Sequence, residues 1–385
     1  MQTELQYLLI FALAVSVTLV LVPVAMGLGK RLGMTTRPGG RRLLEGDRKR
    51  VSKLGGLALF GGFTLSVLAA QVLPVARMDP NESLRLFGLL LGGTIIFGFG
   101  VLDDRYEFGP LPQFIGQALA ASAAIACLIF IEYVNNPLTG QQTDTFPFVV
   151  TVSVTFFWLV FMMNSMNFLD GLDGLAGGVT LIAGAMLFFN SAYRVTPAQT
   201  SVSFLPLALM GTCAAWLLFN FYPARIFMGG GAQYLGFTLG ALSIIGGAKM
   251  GTILLVLGLP LIDVVWQAVD RARHGRNPFR GDRGHLHFRL LDRGLTQRQI
   301  VLGYYAFCLF FGALTLTTSS QFFKFLALGL LGALVVLTFL VVTRMPQPPP
   351  ADLPTPGASG AEPNPAAGVE AGGAITGGGP PPKTG

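Results

Sequence analysis

Residues 5–28 have the sequence LQYLLIFALAVSVTLVLVPVAMGL, a run of 24 residues without a charged side chain. An α-helix of about 20 apolar residues crosses the hydrocarbon core of a bilayer, so this run predicts a transmembrane helix. The run is longer than the apolar region of a signal peptide, and Glu4 rather than a basic residue precedes it. We therefore expect it to be retained as the first membrane-spanning helix.

The composition of the whole chain extends this prediction. Of the 385 residues, 52% are hydrophobic and only 12% are charged, whereas soluble domains carry about 25% charged residues. The 50 glycines also fit, because glycine is common in membrane helices and lets them approach closely. The sequence predicts an all-α, polytopic integral membrane protein with ten or eleven transmembrane helices, the eighth being short and rich in glycine. The candidate spans are residues 5–28, 54–74, 86–102, 114–134, 147–164, 174–190, 203–221, 234–247, 250–269, 300–317 and 322–343.

Basic residues are concentrated in two loops of this arrangement. Nine Lys and Arg lie between residues 30 and 53, and eight Arg lie between residues 271 and 298. The intervening loops contain scattered single charges such as Arg77 and Arg194. Because Lys and Arg favour cytoplasmic loops, we expect the N-terminus outside and the C-terminus in the cytoplasm. The net charge of +7 is thus interpreted as a topology signal.

The chain divides by composition into two parts. Residues 1–345 form the predicted transmembrane domain with its cytoplasmic loops, and residues 346–385 are rich in Pro, Gly and Ala. Such a tail cannot bury a core, so we expect it to be disordered. Cys127, Cys213 and Cys308 each lie alone in an apolar run. Because the spacing of these cysteines is not that of metal ligands, we expect them to be buried structural thiols.

Four groups of polar residues fall at span ends on the predicted cytoplasmic side. The first is Asp103-Asp104, which ends the third span. Adjacent aspartates on a helix point in different directions, so we expect them to have different partners. Carboxylate oxygens suit Mg²⁺, which binds carboxylates together with substrate phosphates. An ordinary solvated helix end would also account for this pair.

The second group is Asn164, Asn167, Asp170 and Asp173, within NSMNFLDGLDGLA. Repeated spacing of three predicts that these side chains share one stripe of a helix. Carboxylates at a membrane boundary are costly unless they contact water, a cation or a partner, which favours a functional site. The alternative is a capped helix end in which the two Asp-Gly pairs form turns.

The third and fourth groups suit anions. The third extends from Asn220 to Gly231 and ends in three glycines, whose backbone N–H groups can bind an anion. The fourth extends from Asp263 to Arg293 and contains all three histidines of the chain. Its His285 and His287 lie among arginines, which favours a diphosphate site. A glycine turn, a solvated basic loop and a two-histidine metal site are the alternatives, although no further ligand has suitable spacing for a metal.

Together the groups resemble the polyprenyl-phosphate N-acetylhexosamine-1-phosphate transferase family, of the glycosyltransferase 4 type. These integral membrane enzymes join a sugar 1-phosphate from a UDP-sugar to a lipid phosphate. The resemblance covers residues 20–343, and its His-Leu-His-Phe-Arg pattern is closer to the UDP-GlcNAc branch than to the phospho-MurNAc-pentapeptide translocase branch. The matching pieces are Leu54-Gly-Gly-Leu-Ala, Asp103-Asp104-Arg105, Asn164 to Ala176, Phe219-Asn220, Pro223-Ala224, Phe227-Met228-Gly229, Pro260, Asp263, Pro278-Phe279, Asp282, His285-Leu-His287 and Leu290.

This resemblance implies direct attack by the lipid phosphate, such as undecaprenyl phosphate, on the β-phosphorus of the UDP-sugar, with UMP leaving. It implies Mg²⁺ as cofactor, with Mn²⁺ as a substitute, and a multi-pass protein of the bacterial cytoplasmic membrane with a cytoplasmic active site. It leaves room for a homodimer and gives no role to nucleic acid. The catalytic residues implied are Asp103, Asp104, Asp170, Asp173, His285 and His287; the substrate-binding residues are Asn164, Asn220, Gly229, Gly230, Gly231, Asp282 and Arg283; the metal ligands are Asn167, Asp104 and Asp170.

The sequence departs from the family pattern in the third group. Where the family has Phe-Met-Gly-Asp-x-Gly, this chain has Met228-Gly229-Gly230-Gly231, and the simplest alignment deletes the aspartate between Gly229 and Gly230. In the family that aspartate is a Mg²⁺ ligand. Further departures are Gln113 in place of lysine, Phe288 in place of a third histidine and Leu44 in place of a histidine.

Three hypotheses follow. The first is a transferase that moves GlcNAc 1-phosphate from UDP-GlcNAc to undecaprenyl phosphate and so initiates a cell-envelope polysaccharide. The second is a catalytically impaired relative that binds lipid phosphate or nucleotide and acts as a regulator, which the missing aspartate would explain. The third is a transporter, but transporters place polar groups near the bilayer midplane and often contain repeats, neither of which is seen in this sequence.

Overall fold

A computed structural model describes residues 2–36, 51–136, 138–247, 250–275, 284–318 and 320–344, with side chains described to residue 341. The regular elements of these residues are helices, as the sequence predicts. In chain order they are α1 Gln2–Arg31, α2 Gly56–Ala70, α3 Glu82–Tyr106, α4 Pro110–Ala126, α5 Phe148–Leu169, α6 Leu175–Phe189, α7 Thr200–Asn220, α8 Gly231–Ile245, α9 Met250–Val256, α10 Gly258–Arg273, α11 Leu286–Leu291, α12 Gln297–Thr317 and α13 Gln321–Arg344. A π-helical turn, Asn190–Arg194, extends α6.

The polytopic membrane class is confirmed, but the number of full-length spans is smaller than predicted. Within the described residues, seven helices are long and apolar enough to cross a membrane, or eight if one bent pair counts as a span. Each of the eleven predicted spans contains a helix. However, α2 and α8 have only 15 residues each, which is about 22 Å at 1.5 Å per residue and short of the hydrocarbon thickness.

The ninth predicted span, residues 250–269, is a broken helix rather than a continuous one. Its two halves, α9 and α10, meet at an angle of 79°. Pro260 lies in the first turn of α10 and has no N–H to bond back to the preceding turn, which explains why the helix cannot run straight through. Gly258 at the bend lies against the side chain of Leu331 on α13.

Helix α8 forms the centre of the bundle. All 15 of its residues are buried, and it packs against α2, α3, α5 and α6. A helix that is apolar on every side is stable only when neighbours surround it, so this pattern is consistent with a central position. The N-terminus of α8 thereby meets the ends of the surrounding helices.

The alternation of helices brings the polar groups to one end of the bundle. Helices α3, α5 and α7 end there, and α8 and α12 begin there, as the contacts described below show. Cys127, Cys213 and Cys308 are buried and free, as predicted. The orientation of the bundle in the membrane stays a prediction, and the predicted tail, 346–385, lies outside the described residues.

Candidate active site

Asp103 and Asp104 have separate partners, as their adjacency predicts. Asp103 lies in the last turn of α3, where its carboxylate accepts a hydrogen bond from the backbone N–H of Phe108 at 2.7 Å. The amide of Gln113, in the first turn of α4, donates to both Asp103 oxygens at 3.2 and 3.1 Å. Three contacts therefore fix the orientation of this carboxylate. Gln113 stands where the family pattern has lysine, so an amide rather than a cation holds Asp103.

Asp104, in the last turn of α3, lies against the N-terminus of α8. Its Oδ2 accepts the backbone N–H of Gly230 at 2.9 Å, and Gly230 is the residue just before α8. A carboxylate at this position satisfies a free helix donor and is favoured by the helix dipole. Asp104 also interacts electrostatically with Asp103, Lys53 and Asp170. It is thus the residue that connects the first, second and third groups.

The three glycines pack tightly against neighbouring chain segments. Gly229 has a φ of +56° in the left-handed region, and a Cβ there would collide with the carboxylate of Asp104 and the carbonyl of Lys53. A Cβ on Gly230 would collide with the backbone of Gly100 on α3. A Cβ on Gly231 would lie 2.6 Å from the Cα of Gly56 on α2, which is also a collision. The site is therefore built without room for a side chain where the family pattern has its aspartate.

The predicted helical stripe of the second group is only half correct. Asn164 and Asn167 lie on α5, but that helix ends at Leu169, so Asp170 is its C-cap and Asp173 lies in the following turn. The two Asp-Gly pairs do form turns, as the alternative proposed. Gly174 of the second pair has a φ of +83°, which glycine adopts readily, and is the residue just before α6.

Asn164 and Asn167 differ in their surroundings. Asn164 and Gln117 of α4 exchange amide hydrogen bonds, at 2.8 and 3.3 Å, so this pair joins α5 to α4. Asn167 is half-buried one turn before Asp170. In the part of the chain that the structure describes, Asn167 makes no side-chain hydrogen bond, so its amide oxygen is available at the site.

Asn220 joins the second group to the third. Its side chain is 1% exposed; the amide oxygen accepts the N–H of Gly174 at 3.0 Å and the amide nitrogen donates to the carbonyl of Ile226 at 2.9 Å. Asp173 adds a second connection by accepting the N–H of Ala224 at 3.0 Å. The two loops therefore form one rigid unit beside Asp104.

His285 is held by Asp263, a residue that matches the family pattern but for which the sequence predicted no role. Asp263 is 2% exposed; one oxygen lies 3.2 Å from His285 Nδ1 and the other accepts the N–H of Leu286 at 3.1 Å. Since a carboxylate accepts, His285 carries its proton on Nδ1 and directs Nε2 elsewhere. Within the described chain, this buried Nε2 has no hydrogen-bond partner. A carboxylate inside an apolar helix is costly, and this cost was the signal in the sequence that could have identified Asp263.

The two histidines lie beside the Asp-Gly turns. The ring of His285 stacks on Phe168 of α5 with 5.2 Å between ring centroids, and His287 stacks on His285 at 5.8 Å. A Cβ on Gly171 would collide with the ring of His287, so this glycine next to Asp170 permits the approach. The fourth group thus meets the second. Asp282 and Arg283 lie outside the described residues.

The donors at this end fit a magnesium ion. In the described ranges, no three His, Cys, Asp or Glu side chains are close enough to enclose a metal. Mg²⁺, however, keeps several waters and is commonly held by one or two carboxylates plus substrate phosphates. Asp104 and Asp170 provide two interacting carboxylates, and the amide of Asn167 is one turn from Asp170.

Comparison with known proteins identifies one matching family model and several bacterial relatives. The profile of the family described as "Glycosyl transferase family 4" matches residues 86–247. The decaprenyl-phosphate N-acetylglucosaminephosphotransferase of Mycobacterium tuberculosis (strain ATCC 25618 / H37Rv) is 33% identical, over 82% of this chain and 82% of its own length. The undecaprenyl-phosphate alpha-N-acetylglucosaminyl 1-phosphate transferase of Yersinia pestis is 27% identical, over 78% and 79%. A phospho-N-acetylmuramoyl-pentapeptide-transferase of Moorella thermoacetica is 30% identical, over 76% and 92%.

Proposed function

The chain belongs to glycosyl transferase family 4, and we propose that it transfers N-acetylglucosamine 1-phosphate from UDP-GlcNAc to a polyprenyl phosphate. An oxygen of the lipid phosphate attacks the β-phosphorus of the donor and forms a new P–O bond. The bond from that phosphorus to the oxygen bridging the two phosphates breaks, and UMP leaves with that oxygen. The product is a lipid diphosphate carrying the sugar, which can begin a cell-envelope polysaccharide.

The observation that carries this proposal is the meeting of all four polar groups at one end of the bundle. Asp104 contacts Gly230, Asn220 contacts Gly174, and His287 lies against Gly171. Residues that are far apart in the sequence therefore form one site at the end of a membrane bundle. A lipid phosphate lies at that depth in the bilayer, and a soluble nucleotide sugar can reach it from the water.

We assign the cofactor to the acidic part of this site. Asp104, Asp170 and Asn167 would hold Mg²⁺, or Mn²⁺ in its place. The ion supplies positive charge that offsets the charge developing on the phosphate oxygens. Lys53 interacts with Asp104 and keeps a cation beside these carboxylates. Asp103, which Gln113 and Phe108 orient, lies at the same helix end and is assigned to the handling of the lipid phosphate.

The donor diphosphate is assigned to the histidines. Asp263 occupies Nδ1 of His285, so Nε2 is left to contact a phosphate oxygen. His287 lies beside it, against the turn that follows Asp170. The seventeen Lys and Arg of the two basic loops would attract an anionic nucleotide sugar to this end.

The charge distribution supports a proposal for which membrane the chain occupies and which way its active site faces. We assign the bundle to the bacterial cytoplasmic membrane with the active site facing the cytoplasm, because the basic loops flank the active-site end. UDP-sugars are cytoplasmic metabolites, which fits that orientation. A homodimer stays a prediction.

A direct experiment compares donors. The purified full-length chain is incubated with polyprenyl phosphate, MgCl₂ and one UDP-sugar at a time, and the lipid product is identified by mass spectrometry. We expect GlcNAc diphosphate-linked lipid and an equal amount of UMP with UDP-GlcNAc. A product only with UDP-MurNAc-pentapeptide would contradict the assignment to the GlcNAc branch.

A regulator without catalytic activity is the alternative, motivated by the missing aspartate. The relatives do not support it, since their names are those of transferases. The Asp104 carboxylate also keeps one negative charge at Gly230, next to the position of the missing aspartate.

A further inference from the structure

A second candidate binding feature lies at the end of the bundle opposite the active site. A cavity of about 440 Å³ is present where α12 ends and α13 begins. Its wall is apolar except for Thr318 and Lys324, and includes Leu314, Phe323, Ala327 and Leu330. Nothing in the proposed transfer reaction uses this cavity.

The cavity and the active site lie at opposite ends of the same helices. Helix α12 starts at Gln297, shortly after the histidines, and ends at Thr317, beside the cavity. Its 21 residues span about 30 Å, which is close to the hydrocarbon thickness of a bilayer. Helix α6 also runs from the active site to this end, because it begins after Gly174 and its π-helical extension ends at Arg194. Arg194 interacts electrostatically with Lys324.

Lys324 is a half-buried cation without a counter-charge. No carboxylate of the described residues lies within ion-pairing distance of it, and the nearby charge of Arg194 has the same sign. By contrast, Glu4 accepts a hydrogen bond from the Tyr193 hydroxyl, and Arg85 forms a 2.7 Å ion pair with Asp79. A half-buried ammonium among apolar side chains is costly unless an anion accompanies it.

We propose that this cavity binds an anionic glycerophospholipid of the leaflet opposite the active site. Its phosphate contacts Lys324 and Thr318, and one acyl chain lies against Leu314, Ala327 and Leu330. A net negative headgroup complements Lys324, whereas the quaternary ammonium of phosphatidylcholine would add a second cation beside it. The site is separate from that of the lipid substrate, which lies at the other end of α12.

Native mass spectrometry of the full-length protein tests this proposal. Phosphatidylglycerol and phosphatidylcholine with identical acyl chains are titrated separately, and bound lipid is counted. One cation near a lipid headgroup contributes about 1 kcal/mol, so we expect about fivefold preference for phosphatidylglycerol and its loss in Lys324→Gln. Arg77→Gln is the matched control, because Arg77 lies at the same end but already faces Glu82.

Two further variants keep the test decisive. Ala327→Phe retains the lysine but fills the cavity, so it should reduce binding of both lipids even if Lys324→Gln cannot be purified. Asp104→Asn should leave the preference intact, since it alters only the catalytic end. Equal binding of the two lipids by the native chain, a preference that survives both cavity variants, or a preference abolished by Asp104→Asn would overturn the proposal.

Discussion

The carboxylate of Asp104 accepts the backbone N–H of Gly230 at 2.9 Å, which joins the end of α3 to the start of the buried helix α8. This contact explains how the site is organised in spite of its missing aspartate. The glycine N–H that could have met a substrate anion is already bound to an anion of the protein itself. Asp104 therefore caps α8, and its second, proposed task is to supply charge to the active site.

Substituting Asp104 by Asn separates these two tasks. The Asn oxygen still accepts the Gly230 N–H, so the cap and the melting temperature should be nearly unchanged. The lost charge should remove several kcal/mol of transition-state stabilisation, which lowers kcat by at least about a hundredfold. Activity is followed by UMP release and stability by a thermal melt in detergent. Unchanged kcat at saturating Mg²⁺ would refute the charged role.

The contact between Gly100 and Gly230 predicts a difference between two glycines of one helix. Gly100→Ala places a methyl group against the Gly230 backbone and should destabilise the protein by about 1–3 kcal/mol through overpacking. Gly98→Ala meets nothing within 4 Å and should be neutral or slightly stabilising. Equal melting temperatures for the two variants would show that the two helices do not touch as described.

The Asp263–His285 contact predicts a loss of turnover when Asp263 is changed. In Asp263→Asn the new amide no longer fixes Nδ1 as the donor, so the ring takes a different tautomer or orientation. Misplacement of a reacting group by about 1 Å can cost about a hundredfold in rate, and we expect a fall in kcat of that order. Asp270→Asn, at a partly exposed aspartate of the same helix, is the control. A fall in both variants alike would argue against a specific role for Asp263.

The buried amide of Asn220 predicts a structural effect. Asn220→Leu leaves the Gly174 N–H and the Ile226 carbonyl without their partner, and each unsatisfied buried group costs about 1–3 kcal/mol. The melting temperature should fall clearly, whereas Asn81→Leu, at an exposed position, should have little effect. If both variants melt like the native chain, Asn220 does not hold the two loops together.

The sequence predicted the class of fold because apolar length alone decides whether a helix can span a bilayer. It also predicted four polar groups at span ends, and the structure brings their described residues together at one end of the bundle. It could not predict that α9 and α10 form a bent pair, since a proline near a helix start is also compatible with a straight helix. Nor could it predict that α5 ends at Leu169, because spacing of three looks the same in a helix and in two successive turns.

The partners within the site were the least accessible to sequence reasoning. Asp263 pairs with His285 across 22 positions, and Asp104 with Gly230 across 126. Contacts of this kind depend on how the helices pack. The buried carboxylate of Asp263 gave a hint, but nothing local in the sequence indicates that a glycine N–H would be the partner of Asp104.

The central claim is that this chain is an active GlcNAc-1-phosphate transferase although the family's aspartate is missing. The most direct measurement is Mg²⁺-dependent UMP release from UDP-GlcNAc and polyprenyl phosphate, by the native chain and by a variant with Asp inserted after Gly229. We predict turnover by the native chain that is lost with EDTA, and reduced turnover by the insertion variant, because the added residue displaces glycines packed against Asp104 and Gly100. No UMP from the native chain, with turnover gained on insertion, would contradict the account.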